Sequence, residues 1–258
     1  MLKKFNFLRG SQNKWEVEVS ESHGFRHLYL GSRTIQSSMK ISDPFSLVLD
    51  YTQAMIAFML FDDRIRRVAC IGLGGGSIPK FLWKYLPEIN VCVVENSLQV
   101  INVARQLFAL PSDDERLSVM HGDGMVWIND VHQYDVIMLD AFDGAGVPDG
   151  FTEEIFIQKV KRCLTHRGIY IQNLWSNDPL LKSRINQIES HFEQIVLIPT
   201  PKGGNIVAIA FCKMPAADKL SQIDQRAKIL KRHLGIDFDA ILSKIRSFQS
   251  TQTKKLLI

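Results

Sequence analysis

Four glycines within five positions, Gly72, Gly74, Gly75 and Gly76, close an apolar run of strand length, Val68 to Ile71, and Ile78 opens an amphipathic helical pattern with Pro79 in its first turn. A strand, a glycine turn and a helix in this order are the start of a doubly wound α/β sheet. Glycines without a Cβ accept positive φ and let a ligand come close to the backbone, and the helix start presents free N–H donors. The turn is a nucleotide-type cradle, with Gly72, Gly74 and Gly76 as its candidate binding positions. No Gly-Lys-Ser/Thr follows, which excludes a phosphate-binding loop, and Ser77 stands where a dinucleotide motif has its third glycine.

The next segment extends the unit. Ile89 to Val94 has the composition of a buried strand and ends in Glu95, about twenty residues after the turn, where doubly wound folds carry a carboxylate for ribose hydroxyls. A solvated acid at a strand end is the plainer alternative. The joint spacing favours the ligand.

The remaining elements follow from periodicity. Trp15 to Val19, Arg26 to Leu30 and Thr34 to Met39 alternate as strands of a small antiparallel meander, and Pro44 to Phe61 repeats apolar residues at helical spacing. Leu98 to Phe108, Phe151 to Leu164 and Ile185 to Phe192 read as further helices. Leu117 to His121, Tyr134 to Asp140 and Gly168 to Leu174 read as strands, and Gln194 to Ile198 with Ile206 to Cys212 as a closing hairpin. The expected fold is α/β, a Rossmann-like sheet of seven mostly parallel strands with an antiparallel last strand, preceded by the small β meander. Expected boundaries are residues 1–43 for the meander, 44–213 for the catalytic domain and 214–258 for a helical tail, with Leu230, Leu234, Phe238, Leu242 and Ile245 available to pack on it.

At 258 residues and 46% hydrophobic composition the chain can fill a sizeable core, and its net charge of +4 comes from scattered lysines and arginines without a nucleic-acid-binding block. Cys70, Cys92, Cys163 and Cys212 lie far apart with no metal-ligand or redox spacing, so reduced thiols and no metal are expected. No apolar run approaches the length of a membrane span, and the first residues lack a long apolar segment; a cytoplasmic location is the expectation.

In open α/β sheets ligands gather outside the carboxyl ends of the strands. Glu95, Asp123, Asp140 and Asp143 stand there. Asp123, between Gly122 and Gly124, is placed to accept from an exocyclic adenine amine, or to cap a turn. Asp140 and Asp143 are placed to face a cationic amine, Asp143 alternatively as a turn cap.

The glycine turn, Val93-Val94-Glu95, Gly122-Asp123-Gly124, the stretch Tyr134 to Asp140 and an N-terminal meander with Ile35-Gln36 together resemble the spermidine synthase family of polyamine aminopropyltransferases, from about Trp15 to Cys212. The resemblance implies a class I methyltransferase-like sheet that binds decarboxylated S-adenosylmethionine and a polyamine such as putrescine. By position it implies that Gln36, Glu95 and Asp123 hold the adenosyl ligand and that Asp140 handles the attacking amine, and Asp143 matches the second acid of the family's stretch; Tyr51 is a further candidate, with Asp143, for holding the acceptor. A homodimer is an open alternative for the assembly. The chain departs from the family at Gly75, which stands where the family has an acid, at Asn96-Ser97, and in the acceptor stretch, here Asp43-Pro44 and Tyr51-Thr52-Gln53. The same turn also resembles spermidine-synthase-like protein methyltransferases that use ordinary S-adenosylmethionine. Three readings result: aminopropyl transfer; methyl transfer to a protein or small molecule; and an inactive adenosyl-binding protein. The first two share one reaction type, attack of a nucleophile on a carbon beside a sulfonium.

Overall fold

The computed structural model describes residues 3–6, 16–131, 133–142, 147–201, 204–215 and 217–249, so the expectation for Asp143 lies outside the described residues. Four short antiparallel strands come first: β1 (Lys3–Asn6), β2 (Val17–Ser22), β3 (Phe25–Leu30) and β4 (Ser37–Lys40), hydrogen-bonded in sequence order. Period-two alternation in β2 turns Val17 and Val19 inward, where they meet Leu28 and Met39. The meander has one strand more than the sequence suggested, because the four residues of β1 are too few to show alternation. Its last strand begins at Ser37, three residues later than expected.

The helical pattern over Pro44 to Phe61 resolves into α1 (Asp50–Met55) and a 3-10 turn over Ile56–Leu60. Leu49 is extended at φ −85° and ψ 134°, and the Thr52 hydroxyl donates to its carbonyl at 2.6 Å, which starts the helix six residues after Pro44. Ile56, Ala57, Phe58 and Leu60 are all fully buried, so packing on every side overrides the one-faced helical repeat.

The central sheet comprises β5 (Arg67–Ile71), β6 (Asn90–Glu95), β7 (Leu117–His121), β8 (Tyr134–Leu139), β9 (Leu164–Trp175), β10 (Gln194–Pro199) and β11 (Asn205–Phe211). Its strand order is β10-β11-β9-β8-β5-β6-β7, with β11 antiparallel to both neighbours and the pairs β5–β6, β6–β7, β5–β8 and β8–β9 parallel. The expected seven strands with an antiparallel last strand are therefore present. From β5 the chain runs outward through β6 and β7, then returns to β8 on the other side of β5. That reversal is the switch point where doubly wound sheets open a crevice.

Strand alternation divides the core between the two faces. Val68, Cys70, Val136, Met138 and Ile171 face the cluster shared with the meander, α2 (Ser77–Tyr85) and α3 (Leu98–Leu107), whereas Ala69, Ile71, Ile137, Leu139 and Tyr170 face α5 (Glu154–Cys163), beyond the short α4 (Gly124–Trp127), and α6 (Leu181–His191). After α7 (Ala217–Ser221), the tail helices α8 (Ile223–Leu234) and α9 (Phe238–Gln249) add Leu230, Phe238, Leu242 and Ile245 to the first cluster, and Asp63 accepts from Lys219 and Arg226 to hold the tail. Lys80 of α2 is fully buried and donates to the Phe108 carbonyl at 2.6 Å, just past the C-terminus of α3, where the helix dipole favours a cation. Burial lowers its pKa to about 7. Arg26 of β3 donates to the neighbouring Leu107 carbonyl, so the same helix end also anchors the meander.

All four cysteines are free, and burial pushes the Cys70 thiol up. Among the described residues no helix is long and apolar enough to cross a membrane.

Candidate active site

The crevice is built where the loops after β5 and β8 touch. Gly72 has φ +96°, and a Cβ placed on it would lie 2.4 Å from the Asp140 carbonyl oxygen, so only a glycine lets these two strand ends approach so closely. The parallel ladder carries into the turn: Gly72 N–H donates to the Val94 carbonyl and Asp140 N–H to the Ile71 carbonyl, each at 2.9 Å.

Glu95 is fixed from both sides. One carboxylate oxygen accepts from Leu73 N–H and the other from Ser97 N–H, each at 2.9 Å. Burial raises its pKa against these backbone donors and the nearby His121. The Asn96 N–H donates to the same carboxylate, and Glu95 lines a cavity of about 360 Å³.

That cavity gathers Gln36, Tyr51, Gly72, Gly74, Glu95, Asp123 and Asp140, residues drawn from the meander, α1 and the ends of four different strands. Gly76 is not among its lining residues; with φ +68° it caps α2 and lies against Leu110, and its role is in the turn itself. Asp123 is exposed, and its Oδ1 accepts from Met125 N–H at 2.8 Å as the N-cap of α4, so the capping alternative and the cavity position hold for the same side chain.

Asp140 sits at the opposite end. Its Oδ1 accepts from Asn173 Nδ2 at 2.9 Å, and the Tyr51 hydroxyl lies within reach of both the Asp140 carboxylate and the Gln36 carbonyl, 3.2 Å away, so its one proton is shared between these two acceptors. Burial pushes the Asp140 pKa up to about 6, against the two hydrogen bonds. The same burial and the Asp140 charge raise the Tyr51 pKa. Asn173 accepts from Asn205 Nδ2 at 2.9 Å. Neither asparagine was singled out from the sequence, although a polar residue inside the apolar run Ile169 to Leu174 was the available signal. Phe142 lines the cavity beyond Asp140 and stacks on Trp175, with ring centroids 5.5 Å apart.

Gly75 stands where the family has an acid. It does not line the cavity, and a Cβ there would meet Ser37 Oγ at 2.7 Å and a Phe108 ring carbon at 2.8 Å. Ser37, hydrogen-bonded to Ser77 at 3.2 Å, stands in the space that a side chain at position 75 would enter. Gly75→Asp is therefore expected to lower stability by about 2 kcal/mol through overpacking, a fall of roughly 4–8 °C in thermal midpoint. An unchanged or higher midpoint in differential scanning calorimetry would show that Ser37 yields.

A seven-stranded sheet with its closing strand antiparallel, and a switch-point crevice with a glycine turn after one strand and a carboxylate after the next, give the class I methyltransferase-like fold. The sequence profile of the spermine/spermidine synthase domain matches residues 48–220. A polyamine aminopropyltransferase of Chromobacterium violaceum is 35% identical over 245 residues, 94% of each chain. The eEF1A lysine and N-terminal methyltransferase of Xenopus laevis is 33% identical over 202 residues, 72% of this chain and 29% of that protein. The solved structure of a spermidine synthase in complex with the transition state analogue AdoDATO shares the fold at TM-score 0.75, with 16% identity, over 95% of this chain and 87% of its own. The chain belongs to the spermine/spermidine synthase family.

Proposed function

We propose that this protein transfers an aminopropyl group from decarboxylated S-adenosylmethionine to a polyamine such as putrescine. The observation that carries this reading is the charge of the cavity: among its described lining residues the ionised side chains are the carboxylates Glu95, Asp123 and Asp140, with no lysine or arginine. Such a wall attracts reactants that are cationic at both ends and disfavours a donor that keeps its own carboxylate. A cavity of about 360 Å³ is of small-molecule size.

In this reading Glu95 accepts from the ribose hydroxyls, Asp123 from the adenine amine, and Gly72 and Gly74 admit the donor to the backbone, with Gln36 beside it. Asp140 and Tyr51 face the acceptor amine. The lone pair of the neutral amine attacks the propyl carbon next to the sulfonium; the C–N bond forms as the C–S bond breaks, and the sulfur leaves with the electron pair as a neutral thioether. The proton released from nitrogen passes to the Asp140 carboxylate, directly or through one water. A free amine has a pKa near 10, so most of it is protonated at neutral pH and a nearby base raises the reactive fraction. The reaction as written uses no metal.

Methyl transfer is the second reading, supported by the Xenopus laevis relative and by glycine at position 75. Calorimetry with the decarboxylated and ordinary donors, with and without putrescine, separates the two. At least tenfold tighter binding of the decarboxylated donor and formation of spermidine are expected; equal affinities with a methylated product would replace the first reading by the second. Glu95→Ala is expected to weaken either donor at least about tenfold, since charge-assisted hydrogen bonds contribute roughly 1.5–3 kcal/mol. Undiminished affinity in a folded variant would remove the ribose role.

A further inference from the structure

We infer that Asn205 and Asn173 are positioning residues for Asp140, forming an amide relay by which the closing hairpin of the sheet turns a hydrogen-bond donor toward the base. This rests on the reading of Asp140 as the amine-handling acid, and adds two residues that lie behind it. The geometry is a chain of two bonds: Asn205 Nδ2 donates to Asn173 Oδ1 at 2.9 Å, and Asn173 Nδ2 donates to Asp140 Oδ1 at 2.9 Å.

The two ends of a side-chain amide have nearly the same shape and opposite hydrogen-bonding character, so the end that faces Asp140 is set jointly by the carboxylate, which only accepts, and by what the other end meets. Asn173 is 2% exposed, which leaves water little access to an unmatched end. An NH2 group only donates. With the Asn205 amide nitrogen on one side, the Asn173 carbonyl must turn to it and the Asn173 NH2 must turn to Asp140. The inverted amide would set an NH2 against an NH2 and a carbonyl against a carboxylate.

Asn205 is itself held firmly at the hairpin. Its backbone N–H donates to Thr200 Oγ1 at 2.9 Å, and its backbone carbonyl accepts from Thr200 N–H at 2.9 Å and from Thr200 Oγ1 at 3.0 Å, which fixes the position from which its side chain reaches Asn173. Among the described residues, the titratable groups facing Asp140 are Tyr51 from α1 and Cys70 from β5, both uncharged at neutral pH, and β9 contributes Asn173. Burial pushes Asp140 toward the neutral acid, and Asn173 and Tyr51 oppose it. The relay therefore bears on the fraction of Asp140 ready to take a proton.

The test is a carbon-13 carboxyl NMR titration of Asp140, made beside the pH profile of kcat/KM. Asn205→Asp replaces a donor by an acceptor and should turn the Asn173 amide around; Asn173→Val removes it with a residue suited to a strand. Each is expected to raise the Asp140 midpoint and the acid limb by about one pH unit, the worth of one hydrogen bond to a charged group, with donor affinity unchanged. Asn205→Ala frees the amide without adding charge and is expected to give about half that shift. In the double variant, Asn205→Asp should add less than half of its single effect. Retention of its full shift there would mean charge acting through space and would overturn the relay, as would an unmoved midpoint in Asn173→Val. Should Asn173→Val not fold, an unmoved midpoint in Asn205→Ala overturns it. The NMR midpoint needs no turnover: shifts as expected alongside a fully active Asp140→Asn would keep the relay and refute the role of Asp140, whereas an inactive Asp140→Asn with unmoved midpoints would do the reverse.

Discussion

Replacing Asp140 with asparagine is expected to lower turnover by on the order of a hundredfold or more while leaving donor affinity within about twofold. The substitution keeps the shape and the bond-forming reach of the side chain and removes its capacity to take a proton at neutral pH. Burial pushes the Asp140 pKa up to about 6, so in the native chain the base form grows in as pH rises through that value, and kcat/KM should show an acid limb there. The limb should be missing from the residual activity of the variant. Stability should move the other way. A carboxyl whose folded pKa lies above its unfolded value binds more protons in the folded state, so its ionisation lowers stability as pH rises from about 4 to 6. Asp140→Asn is accordingly expected to melt above the native protein at pH 7 and to lose that advantage near pH 4. Full turnover in the variant, or equal melting at both pH values, would contradict the buried-base description. The charge cost at Asp140 is the kind of local strain on stability that functional sites carry.

Gly72→Ala should be the most damaging single-carbon addition in the site. The residue is held at φ +96°, which L side chains rarely adopt, and the new Cβ would sit 2.4 Å from the Asp140 carbonyl oxygen and 2.8 Å from its carbonyl carbon. Backbone of that kind has no rotamer by which to give way. Strain at the dihedral is worth about 1–3 kcal/mol and the overlap adds to it, so a loss of roughly 3 kcal/mol or more is expected. Relief requires the β5 and β8 loops to part, which moves Asp140 away from the turn, so donor affinity and turnover should fall with the urea midpoint. A variant that unfolds with the native midpoint and binds normally would show that the two loops are looser than the ladder from Ile71 to Asp140 implies.

A polyamine aminopropyltransferase and a lysine and N-terminal methyltransferase both match this chain. Tyr51, Asp140 and Phe142 line one part of the cavity, and Phe142 stacks on Trp175 behind it. In the proposed reading, a substitution there leaves the strand ladder and Glu95 untouched, so one fold can serve different acceptors.

Local chemistry was enough for much of this. Buried strands declare themselves by continuous apolar runs such as Val68 to Ile71, a surface-facing meander by alternation, and the nucleotide-type turn by glycines that no other residue can replace at positive φ. The spacing from that turn to Glu95 is set by one crossover helix, so a count along the chain reaches the cavity wall. What the chain could not disclose locally depends on which strands become neighbours. Asp140, Asn173 and Asn205 are separated by about thirty residues at each step and meet only because β8 lies beside β9 and β9 beside β11. The direction of a Cβ at Gly75 was likewise invisible, since it depends on Ser37 arriving from another sheet. Periodicity records which face of an element is buried; it carries no information about which partner covers that face, and the polar bonds of the site are made between partners.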